Sequence, residues 1–354
     1  MSRYLNNSLQ SLAAYVPGEQ PRDMAYIKLN TNESPFPPAP KVMEAVTKEQ
    51  VELLRLYSDP ECKGLKEKLA KLYGVEPKNI FVGNGSDEVL NFLFLGFAQD
   101  GVVFPDITYG FYKVFSQLYG LDYTQIPLKE DFSVDPSDYF GSSRMTVIAN
   151  PNAPTGMNLS LDQIEAIVKA NQDHVVVIDE AYVDFGGETA YPLTEKYDNL
   201  IVVRTFSKSR SLAGARLGYA IGPEGLIADL EKIRYSTNPY NIDRLALLIG
   251  EAAVESEDYY QEKCAEIIRV REMTRGTLEK MGFEVLPSKT NFLFAQKSGI
   301  SGAELYAGLR RRGILVRHFT QPRIENYVRI TVGTQEQMEK ACAALFDILQ
   351  EAGV

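Results

Sequence analysis

Short, unbroken runs of Val, Ile, Leu and Phe recur along this chain, separated by longer stretches with apolar residues at helical spacing. The runs at 80–82, 102–104, 146–149, 175–178, 200–203 and 217–221 predict strands. The spacing predicts helices over 63–73, 86–97, 109–119 and 161–171. A strand that is apolar at every position leaves neither face to water. Such strands alternating with helices predict an α/β fold, a mostly parallel sheet covered on both sides. Beyond it, 244–281 reads as one long helix with room for an interruption. Runs at 292–294, 314–316 and 328–331, with helices over 303–311 and from 336, predict a smaller C-terminal α/β layer. The first residues, through Pro35-Phe36-Pro37-Pro38, are rich in Pro, Asn and Gly and read as an extended arm. The expected division is an arm (1–38), a large domain (39–243) and a small domain (244–354).

Composition narrows the chemistry. At 354 residues the chain is long for a single core. With 37 Lys and Arg against 47 Asp and Glu, its net charge of -10 argues against general affinity for nucleic acid or anionic membrane. No apolar run approaches bilayer length, and the N-terminus lacks the apolar core of a signal peptide. A cytoplasmic protein is expected, with Cys62, Cys264 and Cys342 as free thiols. Two histidines, His174 and His318, support neither a His-based zinc site nor Ser-His-Asp hydrolysis. No metal is expected.

Ligands of open α/β sheets bind beyond the carboxyl ends of the strands, so the residues there carry the argument. The first run leads into Gly83-Asn84-Gly85-Ser86-Asp87-Glu88 and a helix. This is either an anion-binding turn or a plain Ser N-cap with acids against the helix dipole. Run 146–149 ends in Asn150-Pro151-Asn152-Ala153-Pro154-Thr155-Gly156, a rigid turn that fixes Asn152. Run 175–178 ends in Asp179-Glu180-Ala181-Tyr182. A carboxylate there is either bonded to backbone or faces a cation such as a protonated pyridine nitrogen, with Tyr182 reaching a neighbouring oxygen. Run 200–203 leads into Arg204-Thr205-Phe206-Ser207-Lys208, with Arg216 shortly after. A lone lysine in a polar loop is usually solvated. Here the hydroxyls and the guanidinium would let the amine anchor an aldehyde cofactor while they hold its phosphate.

These segments, together with Leu29-Asn30-Thr31-Asn32-Glu33-Ser34-Pro35, Tyr57-Ser58-Asp59-Pro60, Ala213-Gly214-Ala215-Arg216-Leu217-Gly218 and Val328-Arg329-Ile330-Thr331-Val332-Gly333, resemble the class I/II aminotransferases, which are fold-type I pyridoxal-phosphate enzymes. The resemblance spans nearly the whole chain. The arm and the surroundings of Arg329 point to the histidinol-phosphate branch.

The resemblance implies pyridoxal 5'-phosphate as cofactor and a homodimer in which Tyr57 reaches the neighbouring subunit's cofactor phosphate. It implies Lys208 as covalent anchor and proton shuttle, Asp179 against the ring nitrogen, and Asn152 and Tyr182 on the ring's phenolic oxygen. Tyr109 would stack on the ring. Ser86 and Asp87, through main-chain N–H, would hold the phosphate with Thr205, Ser207 and Arg216. Arg329 would clamp the substrate's acid group, Arg317 would help with the donor's phosphate, Tyr15 would close over it, and Asn32 would belong to the substrate site. The implied reaction is ping-pong transfer from histidinol phosphate to 2-oxoglutarate, giving imidazole acetol phosphate and glutamate, in histidine synthesis. Aromatic amino acid aminotransferases and threonine-phosphate decarboxylases share the scaffold. A PLP-fold binding protein without turnover need not keep Lys208, Asp179 and Arg216 together. The run Arg310-Arg311-Arg312 reads as solvated helix surface or as an anion-attracting rim.

Overall fold

The main sheet has seven strands: β1 (Ile80–Asn84), β2 (Val102–Pro105), β3 (Tyr123–Ile126), β4 (Met145–Ala149), β5 (Val176–Asp179), β6 (Leu200–Thr205) and β7 (Leu217–Ile221). Their order is β1-β7-β6-β5-β4-β2-β3 in a computed structural model that describes residues 2–10, 12–21 and 23–354, the side chain of Ser8 excepted. The expected mostly parallel sheet is present, with one reversal: β7 runs antiparallel to both β1 and β6. Strands β4 to β7 are buried at every position. Each strand's side chains alternate between a core on either face, which explains the unbroken apolar runs; those of β7 alternate between the first core below, through Ala220, and a third, through Leu217, Tyr219 and Ile221. Val147, Val177, Ile201 and Val203 join one core with the helix Ser86–Phe97. Ile148, Val176, Ile178, Leu200 and Val202 join the other with the helix Leu161–Ala170. Strand β3, Tyr-Thr-Gln-Ile at the sheet edge, lies outside the sequence-derived set because its polar middle shows no apolar run.

A helix at Glu224–Thr237 also lies outside that set, although Leu226, Ile227, Leu230 and Ile233 carry helical spacing and pack on the first core. The expected helix over 109–119 starts later, at Phe111. The expected long helix is two, Arg244–Val254 and Glu257–Lys280, broken at Glu255-Ser256. The second of these packs Ile267, Val270 and Leu278 against a smaller antiparallel sheet. Its strands are β8 (Glu284–Val285), β9 (Phe292–Gln296), β10 (Arg317–His318) and β11 (Val328–Thr331), ordered β10-β11-β9-β8. Ile314–Leu315 belongs elsewhere: it pairs in parallel with Ile27–Lys28 and ties the N-terminal arm to the C-terminal half.

Candidate active site

Two parallel strands, β4 and β5, end level with one another, and β6 beside them runs two residues further. Ala149 of β4 is the register partner of Asp179, and Asp179 that of Val203 in β6. The residues at and after these ends therefore converge on one cleft of about 780 Å³, lined by Thr31, Glu33, Ser86, Asp87, Tyr109, Pro151, Asp179, Tyr182, Thr205, Ser207, Lys208 and Arg216 among others. The reversed strand β7 begins where its neighbours end. Gly218 pairs with Thr205 on one side and Gly83 on the other. Arg216, just before β7, thereby arrives beside Ser86 and Asp87.

One end of the cleft is built for an anion. Gly85, at φ +80°, is the N-cap of the helix Ser86–Phe97 and offers no capping side chain. Ser86 is thus the first helical residue rather than the cap, and the first N–H groups of the helix remain available to an outside acceptor. The Thr205 hydroxyl accepts from Ser207 N at 3.1 Å and tightens the loop before Lys208. Asp87 turns into the cleft. Its carboxylate accepts from Arg216 Nη2 at 3.0 Å and from the Tyr109 hydroxyl at 2.7 Å. Glu88 is engaged elsewhere, accepting from Asn84 N at 2.6 Å and Asn241 Nδ2 at 2.5 Å. A Cβ on Gly218 would lie 2.2 Å from Ser86 N. Gly218→Ala is therefore expected to displace the Ser86 N–H, to lower stability by roughly 1–3 kcal/mol, and to weaken binding of a phosphate-bearing ligand. Thermal unfolding with and without inorganic phosphate reads both effects, and an unchanged pair of curves would contradict this close approach.

At the other end lies Asp179, whose burial pushes its carboxyl up to about 6. It accepts from the Tyr112 hydroxyl at 2.8 Å and from Ala181 N at 3.2 Å. Tyr112 was not among the expected site residues, although it stands one helical turn after Tyr109. Lys208 also lines the cleft; its Nζ donates to Thr31 O at 3.1 Å and lies 5.9 Å from the centre of the Tyr182 ring. Burial, and then the nearby Arg329 cation, lowers its amine to about 8. An amine so placed is a usable base and nucleophile near neutral pH. The Tyr109 and Tyr182 phenols are pushed up, chiefly by burial. Glu33, also unexpected, lines the cleft. Burial opposes its ionisation, but hydrogen bonds from Lys28 and Thr31 hold its carboxyl below the usual range.

Arg317 and Arg329 are direct register partners across β10 and β11. Like charges in that position repel. Among the described residues neither has an acidic partner at ion-pair distance. Arg329 Nη2 donates to Asn30 O at 3.0 Å, its buried Nε has no partner, and its guanidinium lies over Phe292 and Phe319. Arg317 Nη2 donates to Val16 O at 3.4 Å, and its guanidinium lies over the Phe319 ring. Two unneutralised guanidinium groups on paired strands have the chemistry to receive an anion supplied from outside.

The arm connects these parts. The carbonyls of Asn30, Thr31 and Asn32 accept in turn from Arg329, Lys208 and Asn291 Nδ2, the last at 3.0 Å. Asn32 is buried at φ +57°. It donates to the Tyr182 hydroxyl at 2.9 Å and exchanges two further bonds with Thr331, so its side chain braces Tyr182. The Tyr15 ring centre lies 4.3 Å from that of Phe111. Asn152 does not line the cleft. Its amide donates to Ile107 O and Thr155 Oγ1, both at 3.0 Å, and accepts from the Thr108 hydroxyl at 2.8 Å, while its neighbours Pro151 and Ala153 face inward. Tyr57 stands outside the cleft, 79% exposed and stacked on Tyr240 with ring centres 4.4 Å apart. Arg310 pairs with Glu19 and Arg312 with Glu351, which fits the solvated-surface reading of that run.

Known proteins share this architecture and sequence. The family model "Aminotransferase class I and II" matches residues 25–345. A histidinol-phosphate aminotransferase of Marinomonas sp. is 52% identical over 350 residues, covering 98% of this chain and 99% of the relative. One from Brachyspira hyodysenteriae is 50% identical over 342 residues, covering 96% and 97%. The crystal structure of the Sinorhizobium meliloti histidinol-phosphate aminotransferase in complex with pyridoxal-5'-phosphate superposes with a TM-score of 0.89 at 25% identity, covering 99% of each chain. With a cleft of this construction and matches of this extent, the chain belongs to the class I and II aminotransferases, within the family of the histidinol-phosphate aminotransferases.

Proposed function

We propose that the protein is a pyridoxal 5'-phosphate-dependent transaminase that moves the amino group of histidinol phosphate to 2-oxoglutarate, a ping-pong step of histidine synthesis. The cleft suits that cofactor. An uncapped helix N-terminus, the Thr205 and Ser207 hydroxyls and Arg216 would hold its phosphate, Asp179 would hold its ring nitrogen, and Lys208, in the same cleft, would take its aldehyde. When bound, the cofactor supplies the electron sink that breaking a Cα–H bond requires. The protein's own groups do the rest. Lys208 anchors the cofactor and then carries the proton at the donor's Cα. Asp179 holds the proton on the ring nitrogen. Tyr182, braced by Asn32, orients the phenolic oxygen, Asn152 fixes the Pro151 turn, and Tyr109 covers the ring face. Ser86 and Asp87 N–H, Thr205, Ser207 and Arg216 hold the phosphate.

The observation that carries the substrate reading is the Arg317–Arg329 pair without an acidic partner. It suits the phosphate of one substrate and the carboxylates of the other in the two half-reactions, with Tyr15 closing from the arm. Relatives at half identity that carry this activity in their names support the same choice. Rapid mixing of the cofactor-loaded enzyme with single donors tests it. Histidinol phosphate and L-glutamate are expected to convert the cofactor to its amine form. Efficient conversion by phenylalanine but not histidinol phosphate would favour an aromatic aminotransferase, and CO₂ release from threonine phosphate would favour a decarboxylase.

The reading extends to a homodimer in which Tyr57 completes the neighbouring subunit's phosphate site. Met43, Val46, Val51, Leu54 and Leu56 are exposed in the same segment, apolar side chains that a second copy would cover. A monomer in sedimentation at assay concentration would remove this part. It extends also to an arm (1–38), a large domain (39–243) and a small domain (244–354), and to the cytoplasm, which the three free thiols suit. Among the described residues no helix is long and apolar enough to cross a membrane.

A further inference from the structure

Tyr112 has no part in the reaction as described, yet among the described residues it makes the one side-chain hydrogen bond to Asp179. We propose that Tyr112 is a positioning residue of the transamination, holding the Asp179 carboxylate oriented and ionised toward the cofactor's ring nitrogen; the proposal rests on the function assigned above. Three features carry it. The first is geometry. The Tyr112 hydroxyl takes Asp179 Oδ2 and the Ala181 N–H takes Oδ1, so the plane of the carboxylate is pinned at two points. The second is chemistry. Tyr112 is wholly buried against Phe94, Phe104 and Tyr109, and burial, followed by the Asp179 charge, raises its phenol well above the ordinary value. It stays protonated and so serves Asp179 as a donor.

The third is what surrounds Asp179. Tyr109 and Tyr182 face it as neutral phenols, Asp87 faces it as a second negative charge, and Lys208 stands among the lining residues of the same cleft. Among the described residues no Lys or Arg forms an ion pair with it. A buried carboxylate with no cationic partner depends on its hydrogen-bond donors to remain ionised. Losing one of two would move it toward the acid form, which cannot hold the ring nitrogen's proton. The Tyr109–Tyr112 turn thus supports both carboxylates of the cleft, Tyr109 bonding Asp87 and Tyr112 bonding Asp179.

The test is Tyr112→Phe, which keeps the ring packing. The cofactor dissociation constant, measured by equilibrium dialysis of the loaded enzyme, is expected to rise about ten-fold, the usual consequence of losing a hydrogen bond to a charged group. In the cofactor-free protein, carbon NMR of labelled aspartate should show the Asp179 midpoint moving up from about 6. In an Asp179→Asn background the second change should add little, as a double-mutant cycle requires of a residue that acts through Asp179. A lower melting temperature with unchanged cofactor affinity and Asp179 titration would overturn the proposal. So would an effect that persists in full beside Asp179→Asn. If Tyr112→Phe does not fold, site-specific 3-fluorotyrosine at 112 tests the same bond with the opposite sign, because its more acidic phenol should move the Asp179 midpoint down; an unmoved midpoint would overturn the proposal. A wild-type protein that takes up no cofactor would defeat the functional reading alone, since the Asp179 titration needs none.

Discussion

Lys208→Ala is expected to lower turnover by about four orders of magnitude, the upper range for a positioned acid–base group, and to abolish the visible band of the lysine-bound cofactor. The physical reason is the setting of the amine. It is withdrawn from water, and its hydrogen bond goes to a backbone carbonyl rather than to a carboxylate. Its pKa near 8 leaves an appreciable neutral fraction at physiological pH. Two checks follow. Uptake of cofactor aldehyde by the cofactor-free protein should quicken about ten-fold per pH unit below 8 and level off above it, because only the neutral amine reacts. Lysine in an unfolded chain titrates near ~10.4, so the unfolded state binds more protons between pH 8 and that value. Stability contributed by this residue therefore rises with pH across that window and is least below 8. Lys208→Ala should be no less stable than the parent at pH 7. A variant that keeps the visible band, or that unfolds, would contradict the assignment.

Arg329→Met is expected to reduce kcat/KM for both the phosphorylated donor and glutamate by roughly 10²- to 10³-fold, equivalent to about 3–4 kcal/mol and within the cost of removing one partner of a buried charge pair. Methionine keeps much of the contact with Phe292 and Phe319 and removes the charge. No carboxylate is stranded by the change, because none pairs with Arg329 in the described structure. The unliganded variant should therefore match or exceed the parent in melting temperature, since a half-buried, repelled cation and its buried, unpartnered Nε are removed. Steady-state kinetics with both substrates, set beside a thermal melt, separates this from a structural salt bridge. A structural arginine would lose stability with little change in kcat/KM.

Much of this was legible in the chain itself. The runs that became β4 to β7 are apolar throughout because each strand feeds two cores, and that signal is local. So are the residues that follow a strand. Asp179 and Lys208 could be placed at the mouth of the sheet from chain order alone. The helix Glu224–Thr237 was within reach of the same spacing rules, whereas edge strand β3 was not, because an edge strand needs no apolar run.

Other parts were decided only by the fold. Nothing near Arg216 in the chain says that β7 runs backward, yet that reversal brings Arg216, Gly218, Ser86 and Thr205 to one point. Arg317 and Arg329 are twelve residues apart, and only the β10–β11 register sets them face to face. Tyr112 looks like any aromatic core residue until β2 and β5 are placed in one sheet and its hydroxyl meets Asp179. The arm reads as loose chain until its carbonyls are found on Arg329, Lys208 and Asn291. The sequence by itself determined the inventory of groups, their order and the strands that deliver them, because local propensity and periodicity act over a few residues. The tertiary structure decided which groups meet, because strand direction and register are set by hydrogen bonds between distant segments, and no local pattern contains them.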